Sequence, residues 1–236
     1  MIKLQTPVID QKCNVGISYS DKILLLGSCF TDNIGQALKS YGFDVCVNPF
    51  GTLYNPASIV NAMQRLITGT PFMEKECVQM GSGSDLICSF SHHTSFSRKT
   101  GKEFLENANS ELEKASRFLM ECDKIIITLG TAWFFRHTGY IQKDGTIKPD
   151  NGRIVANCLK RDAKEFSREM LDRQTAGSML DAIAGICGCR KKKVIFTVSP
   201  IRHMADGAHG NMVSKSTLML AVDDAIRKIN SSDMPE

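Results

Sequence analysis

An α/β fold built on a mostly parallel sheet is what this sequence predicts, on three observations. Three short apolar runs, Ile23-Leu24-Leu25-Leu26, Lys124-Ile125-Ile126-Ile127-Thr128-Leu129 and Val194-Ile195-Phe196-Thr197-Val198, are each bounded by polar residues or glycine, the pattern of strands buried on both faces. Stretches of helical periodicity lie between and after them. The resulting alternation of strand and helix favours parallel pairing with helices on both faces, and such sheets hold ligands at the carboxyl ends of their strands. A chain of 236 residues is near the upper limit of one hydrophobic core, so one domain spanning residues 1–236 is expected.

Each element has its own local reason. The first strand runs directly into Gly27-Ser28-Cys29-Phe30-Thr31 and a helix over Asp32 to Ser40, with the Thr31 hydroxyl as its expected cap. A weaker strand, Asp44 to Val47, follows the turn at Gly42. Asn55-Pro56 supplies an N-cap and then proline at the first helical position, opening a helix to Thr68. Gly81-Ser82-Gly83-Ser84 reads as a loop. From Lys102 to Cys122, residues Phe104, Leu105, Leu112, Ala115, Phe118 and Leu119 recur at helical spacing. After the strand at Lys124, the stretch Trp133 to Ile154 breaks the alternation. Its Lys143-Asp144-Gly145-Thr146 and Asn151-Gly152 are hairpin signals, so a small antiparallel β-hairpin excursion is expected there. A helix over Ala163 to Cys187, the strand at Val194 and a helix over Ser214 to Lys228 complete the order.

Composition narrows the function classes. Apolar residues make up 42% and charged residues 23%, which is ordinary for a globular domain, and no apolar run approaches the ~20 residues of a membrane span. The opening Met1-Ile2-Lys3-Leu4-Gln5-Thr6-Pro7 resembles neither a secretory signal nor an anchor, so a soluble, cytoplasmic protein is expected. Nine cysteines, scattered and odd in number, read as reduced thiols that are mostly buried. Cys187 and Cys189 lack a second ligand pair, and the adjacent His92 and His93 are poorly disposed to share one ion, so no metal site is expected. Net charge is +4, and the single basic block, Arg190-Lys191-Lys192-Lys193, suits a solvated corner. No nucleic-acid partner follows from that, and the absence of Gly-x-Gly-x-x-Gly after the first strand argues against a dinucleotide cofactor.

The strand ends carry the reactive groups. Ser28 sits between the first strand and its helix, where a hydroxyl opens into the crevice and helix-terminal amides favour an oxyanion; the alternative is a serine that merely caps the helix. The second strand ends in Asn48-Pro49-Phe50-Gly51-Thr52-Leu53-Tyr54-Asn55-Pro56, where Gly51 offers a close-approach amide or a structural turn. The third ends in Gly130-Thr131-Ala132-Trp133. The last ends in Ser199-Pro200-Ile201-Arg202-His203-Met204-Ala205-Asp206-Gly207-Ala208-His209-Gly210-Asn211, with two of the five histidines. A serine, a histidine and an acid on adjacent strand ends satisfy the logic of a catalytic triad. His92 and His93 could line the same crevice, and Cys29 is a rival nucleophile at the helix start.

Three of these segments together resemble a known family. Leu26-Gly27-Ser28-Cys29-Phe30-Thr31 is similar to the motif that names the GSCFA family, with Thr31 in place of the final alanine, and the segments around Gly51 and from Ser199 to Asn211 resemble two further motifs of that family. The resemblance covers about residues 20 to 228. It implies membership of the SGNH or GDSL-like hydrolases: a flavodoxin-like three-layer α/β/α sandwich with a serine nucleophile and no cofactor. On that model Ser28 is the nucleophile, and the amides of Ser28 and Gly51 line the oxyanion hole. Gly130, Thr131, Asn55, Arg202 and His203 fall at oxyanion or substrate-binding positions. Ala132 stands where such enzymes carry an asparagine donor, so Thr131 would have to substitute. Asp206 and His209 have the Asp-x-x-His form of the acid and base, but follow the last strand by only a few residues. The family pattern continues to a second Asp-x-x-His-Pro stretch that these residues do not include. Two alternatives remain: Asp206 and His209 are the working pair, or this is a shortened member without one.

The expected function is therefore a serine-dependent ester hydrolase or acyltransferase acting on small or carbohydrate-linked O-acyl groups. The alternative is a degenerate module that binds an acylated sugar without turnover. A nucleotide-binding protein is the weakest of the three.

Overall fold

The computed structural model describes residues 15–142, 144–189 and 192–232. The opening heptapeptide, Lys143, the Arg190-Lys191 part of the basic block and the last four residues lie outside them. The chain is a mixed α/β fold, with five α-helices and a four-stranded parallel sheet among the described residues. That sheet is formed by β1 (Lys22–Gly27), β2 (Asp44–Val47), β5 (Lys124–Leu129) and β11 (Lys193–Val198), in the order β11-β5-β1-β2. The register runs Ile23 opposite Val45 and Lys124, with Lys124 opposite Lys193 in turn.

Burial explains why these runs are strands. Ile23, Leu24, Leu25 and Leu26 are all fully buried, as are Ile125 and Ile127 on β5, and burying each such side chain stabilises the fold by about 1.5–3 kcal/mol. The chain steps outward from β1 to β2 through α1 (Cys29–Ser40), then returns past β1 to β5 and β11 through α2 (Pro56–Thr68), α3 (Gly101–Glu121) and α4 (Arg173–Cys189). α1 packs on β1 and β2, α2 packs on α3 and α4, and α4 packs on α5 (Gly207–Ser232).

The caps show how the sequence fixes these boundaries. Asn55 accepts a bond from the Ser58 amide at 2.8 Å, Pro56 follows, and Gly69 ends α2 in the left-handed region. Thr100 and Glu103 close a reciprocal capping box at the start of α3.

Three expectations need correction. First, α1 begins at Cys29 with Ser28 as its N-cap, and Thr31 is buried inside the helix with an unpartnered hydroxyl. Second, Ala163 to Asp172 is not α-helical: Ala163–Glu165 makes a single 3₁₀ turn. Phe166–Met170 forms β10, antiparallel to β6 (Trp133–His137), and α4 starts only after Asp172, which caps it through the Thr175 amide. Pairing with β6 overrides the local helical preference of that stretch. Third, α5 starts at Gly207 rather than Ser214, so His209 belongs to a helix instead of a loop.

The hairpin excursion is present. β7 (Gly139–Ile141) pairs with β8 (Ile147–Pro149), and β6 also pairs with β9 (Ile154–Val155). The 81–84 stretch joins a second small hairpin, β3 (Val78–Gln79) and β4 (Ile87–Cys88). Cys29, Cys46, Cys77, Cys88, Cys122 and Cys158 are free thiols, Cys29 being exposed. Burial pushes the Cys46 thiol up to about 12 and those of Cys88 and Cys158 up to about 11. Among the described residues no helix is long and apolar enough to cross a membrane.

Candidate active site

The crevice begins where β1 must turn into α1 without a side chain. Gly27 has φ +149°, and a Cβ there would lie 2.3 Å from the Thr128 carbonyl oxygen of β5, so only glycine fits. The Gly27 amide donates to Asn48 Oδ1 at 2.8 Å, and its carbonyl accepts from the Leu53 amide. Asn48, itself at φ 44°, also donates from Nδ2 to Asp32 Oδ1 at 2.6 Å, so one side chain ties β1, α1 and the segment after β2 together.

Ser28 follows in extended backbone, φ −71° and ψ 179°. It occupies the N-cap position, yet its hydroxyl makes no capping bond; the residue is only 2% exposed and Oγ has no partner. A serine kept to cap the helix would use that oxygen on an amide of the first turn. Its Cβ lies against Gly130, where an added Cβ would sit 3.5 Å from Ser28 Cβ and 3.1 Å from the Tyr54 ring. The Tyr54 ring thus flanks the strand end, and Cys29, the rival nucleophile, points to solvent instead.

The expected oxyanion donors are all engaged within the chain. The Ser28 amide donates to the Thr128 carbonyl at 3.2 Å and the Gly51 amide to the Asn48 carbonyl at 2.7 Å. Gly130 and Thr131 both donate to the Tyr54 carbonyl, at 2.7 and 2.9 Å. The Thr131 hydroxyl accepts from the Trp133 amide and pairs with Ser214 Oγ at 3.0 Å. Lys215, the next residue of α5, donates to the Gly130 carbonyl at 2.5 Å, and burial lowers its pKa.

Beside this strand end lies a cleft of ≈ 490 Å³ that brings together Tyr54, Asn55, Thr131, His203 and Asp206. Sequence reasoning named the last four of them. The structure adds Trp133 and Arg168, which close the far wall. Arg168 is ion-paired with Asp206 and stacks 4.2 Å above the Trp133 ring. The Asp206 side chain, 5% exposed, is therefore held by a guanidinium and not by an imidazole. His203 stands edge-on to the Tyr54 ring at 6.3 Å, with its amide bonded to Asn211 Oδ1. His209 is exposed on the first turn of α5 and Arg202 is exposed beside the cleft, and among the described residues neither side chain makes a hydrogen bond.

The two adjacent histidines part company. His92 is fully buried among Phe50, Phe72, Phe96 and Phe104, with Nδ1 on Ser89 Oγ at 2.7 Å. Burial, aided by the Arg65 charge, pushes it down to about 3. His93 packs over Gly51, where an added Cβ would meet its Cβ at 2.3 Å. Tyr54 and Asn48 lay within a segment the sequence had already marked, whereas Arg168 was hidden by the helical reading of its stretch.

No curated protein and no solved structure matches the chain. A family model does, over residues 22–233, and that span holds the strand-end serine, the Gly51 turn and the 199–211 segment. With nearly its whole length matched, this chain belongs to the GSCFA family.

Proposed function

We propose that this is a serine-dependent ester hydrolase or acyltransferase of the SGNH, flavodoxin-like type, acting on small or carbohydrate-linked O-acyl groups and held here in a closed resting arrangement. The observation that carries the proposal is the Ser28 hydroxyl: N-cap position, nearly full burial, and no partner. A buried polar atom left unpaired costs about 1–3 kcal/mol, and sites that tolerate such a loss are often functional.

In the working arrangement the Tyr54 ring and carbonyl withdraw from Gly130 and Thr131. Two strand-end amides are then free to hold the carbonyl oxygen of an ester, and the cleft opens to Ser28. Ser28 Oγ attacks the acyl carbon and gives its proton to an imidazole, which passes it to the departing alcohol; water or a second alcohol then releases the acyl group. His203 is the imidazole that already lines the cleft. His209 serves only if the first turn of α5 rotates inward.

A fluorophosphonate probe tests this. Labelling of the wild type, retained in Cys29→Ala and abolished in Ser28→Ala, is expected; labelling that survives Ser28→Ala removes Ser28 as nucleophile. Loss of the base should lower turnover by ~10²–10⁴, so comparing His203→Ala with His209→Ala identifies which imidazole serves.

The second reading, a module that binds an acylated sugar without turnover, is favoured by the Arg168–Asp206 pair and by the engaged amides of Ser28, Gly51, Gly130 and Thr131. It predicts ligand binding with no probe labelling, unaffected by His209→Ala.

A further inference from the structure

A second cavity, of ≈ 240 Å³, lies next to the cleft and is not used by the chemistry above. Its volume falls below the ~300 Å³ at which pockets begin to suit drug-sized ligands, so it holds one small ring. The two spaces share Ala156 in their walls. They also meet on the first turn of α2, where Asn55 lines the cleft and Ser58 lines the cavity, joined by the 2.8 Å bond between them.

The lining combines unpartnered hydrogen-bonding groups with apolar side chains. Ser58 is 3% exposed and its hydroxyl has no partner. Asn61 and Ser91, both exposed, line the same cavity and make no side-chain hydrogen bond within the described chain. Phe50, Phe72 and Phe90 are buried beneath them. Two guanidiniums are present, together with the Glu76 carboxylate. Arg65 pairs with Glu76 at 2.5 Å and covers the Phe72 ring. Arg153 donates from Nη2 to the Tyr140 hydroxyl and covers the Phe90 ring, but its buried Nε, 3.6 Å from Asp150, has no hydrogen-bond partner.

From these features we infer that the cavity binds one neutral, polyhydroxylated ring, a monosaccharide unit. Glu76 is the reason for neutrality: its carboxylate lines the cavity beside Arg65, so an anion entering to reach that arginine meets a like charge and would leave a half-buried carboxylate unpaired. Hydroxyls meet no such penalty. They donate to and accept from the Asn61 amide and the Ser58 and Ser91 hydroxyls, with Arg153 Nε as a further donor, and the C–H groups of the ring meet the apolar wall at Ala62, Ile154 and Ala156. The ring would sit with a substituent aimed past Ala156 toward Ser28. That direction rests on the acyl-transfer proposal; occupancy of the cavity does not.

The test is titration of the whole chain with methyl α-glucopyranoside, methyl β-galactopyranoside and N-acetylglucosamine, with glucuronate as the charged control, followed by calorimetry or ligand-observed NMR. At least one neutral sugar should bind, at least tenfold more weakly to Asn61→Ala and to Ser58→Ala, and equally well to Ser28→Ala. Thermal melts establish that the two cavity variants remain folded; Asn61 is exposed, so at least that variant is expected to. Absence of binding by all three neutral sugars at 20 mM, preference for glucuronate, or binding indifferent to both substitutions overturns the inference. Sugar binding that persists in a protein showing no probe labelling would remove the acyl-transfer proposal and leave this one standing.

Discussion

Strands β5 and β11 are neighbours in one sheet, in register from Lys124 opposite Lys193 to Leu129 opposite Val198, and nearly equal in apolar character. Their surroundings differ. On β5, Ile125, Ile127 and Leu129 are fully buried, whereas every residue of β11 from Val194 to Val198 is only partly buried. Among the described residues no strand pairs with the outer edge of β11, and two open cavities run along it, one walled by Ile195 and Phe196, the other by Val198 and Met219. An apolar run therefore reports that a strand forms, not how many neighbours it has.

Substitutions can sharpen or break that contrast. The largest effect is expected where β1 touches β5: Gly27→Ala drives a methyl into the Thr128 carbonyl at 2.3 Å, in a backbone conformation that alanine resists, and should cost ~4 kcal/mol or more. Chemical denaturation measures it, and a loss below 1 kcal/mol would mean that the strand end has slack. Next come the register partners Ile127 and Phe196. Ile127→Ala should cost ~2–5 kcal/mol, and Phe196→Ala, despite removing a larger side chain, only ~1–2 kcal/mol, because part of that ring is already wet. Equal losses would show that β11 is as enclosed as β5.

A pH titration gives the third comparison. The folded His92 titrates at about 3, against ~6.5 when unfolded. Between those values the unfolded chain binds a proton that the folded chain refuses, so stability falls as pH drops through this window, by at most ~1.4 kcal/mol per unit. The urea midpoint should decline from pH 6.5 to pH 4.5, and the decline should be shallower in His92→Leu. The smallest effect belongs to the exposed start of the edge: Lys193→Glu should change stability by no more than ~0.5 kcal/mol.

Local chemistry explains what could be read from the sequence. α2 was bounded correctly because its stop and start signals, Asn55-Pro56 and Gly69, act within a few residues. β10 was missed because its strand character comes from β6, thirty residues upstream. The start of α5 was hidden by Gly207 and Gly210, which weaken helix propensity. In the site, the strand–glycine–serine–helix order made Ser28 conspicuous, and Gly51, Thr131, His203 and Asp206 were rightly assigned to strand ends. Their partners were not readable, since the Tyr54 carbonyl on Gly130 and the Arg168 guanidinium on Asp206 are meetings between distant parts of the chain. The cavity beside Asn55 left no motif at all, because α2, the loops near residues 72 and 90, and β9 each contribute only one or a few side chains to it.

The open flank of β11 also governs how this protein should age in the tube. Among the described residues no strand shares the amides and carbonyls on the outer edge of β11 beside Ile195 and Phe196, and such an edge is a template on which another chain can add a strand. Loss of monomer on concentration would then proceed through main-chain bonding, which added salt screens little, and a single lysine at position 195 would act as a gatekeeper against it.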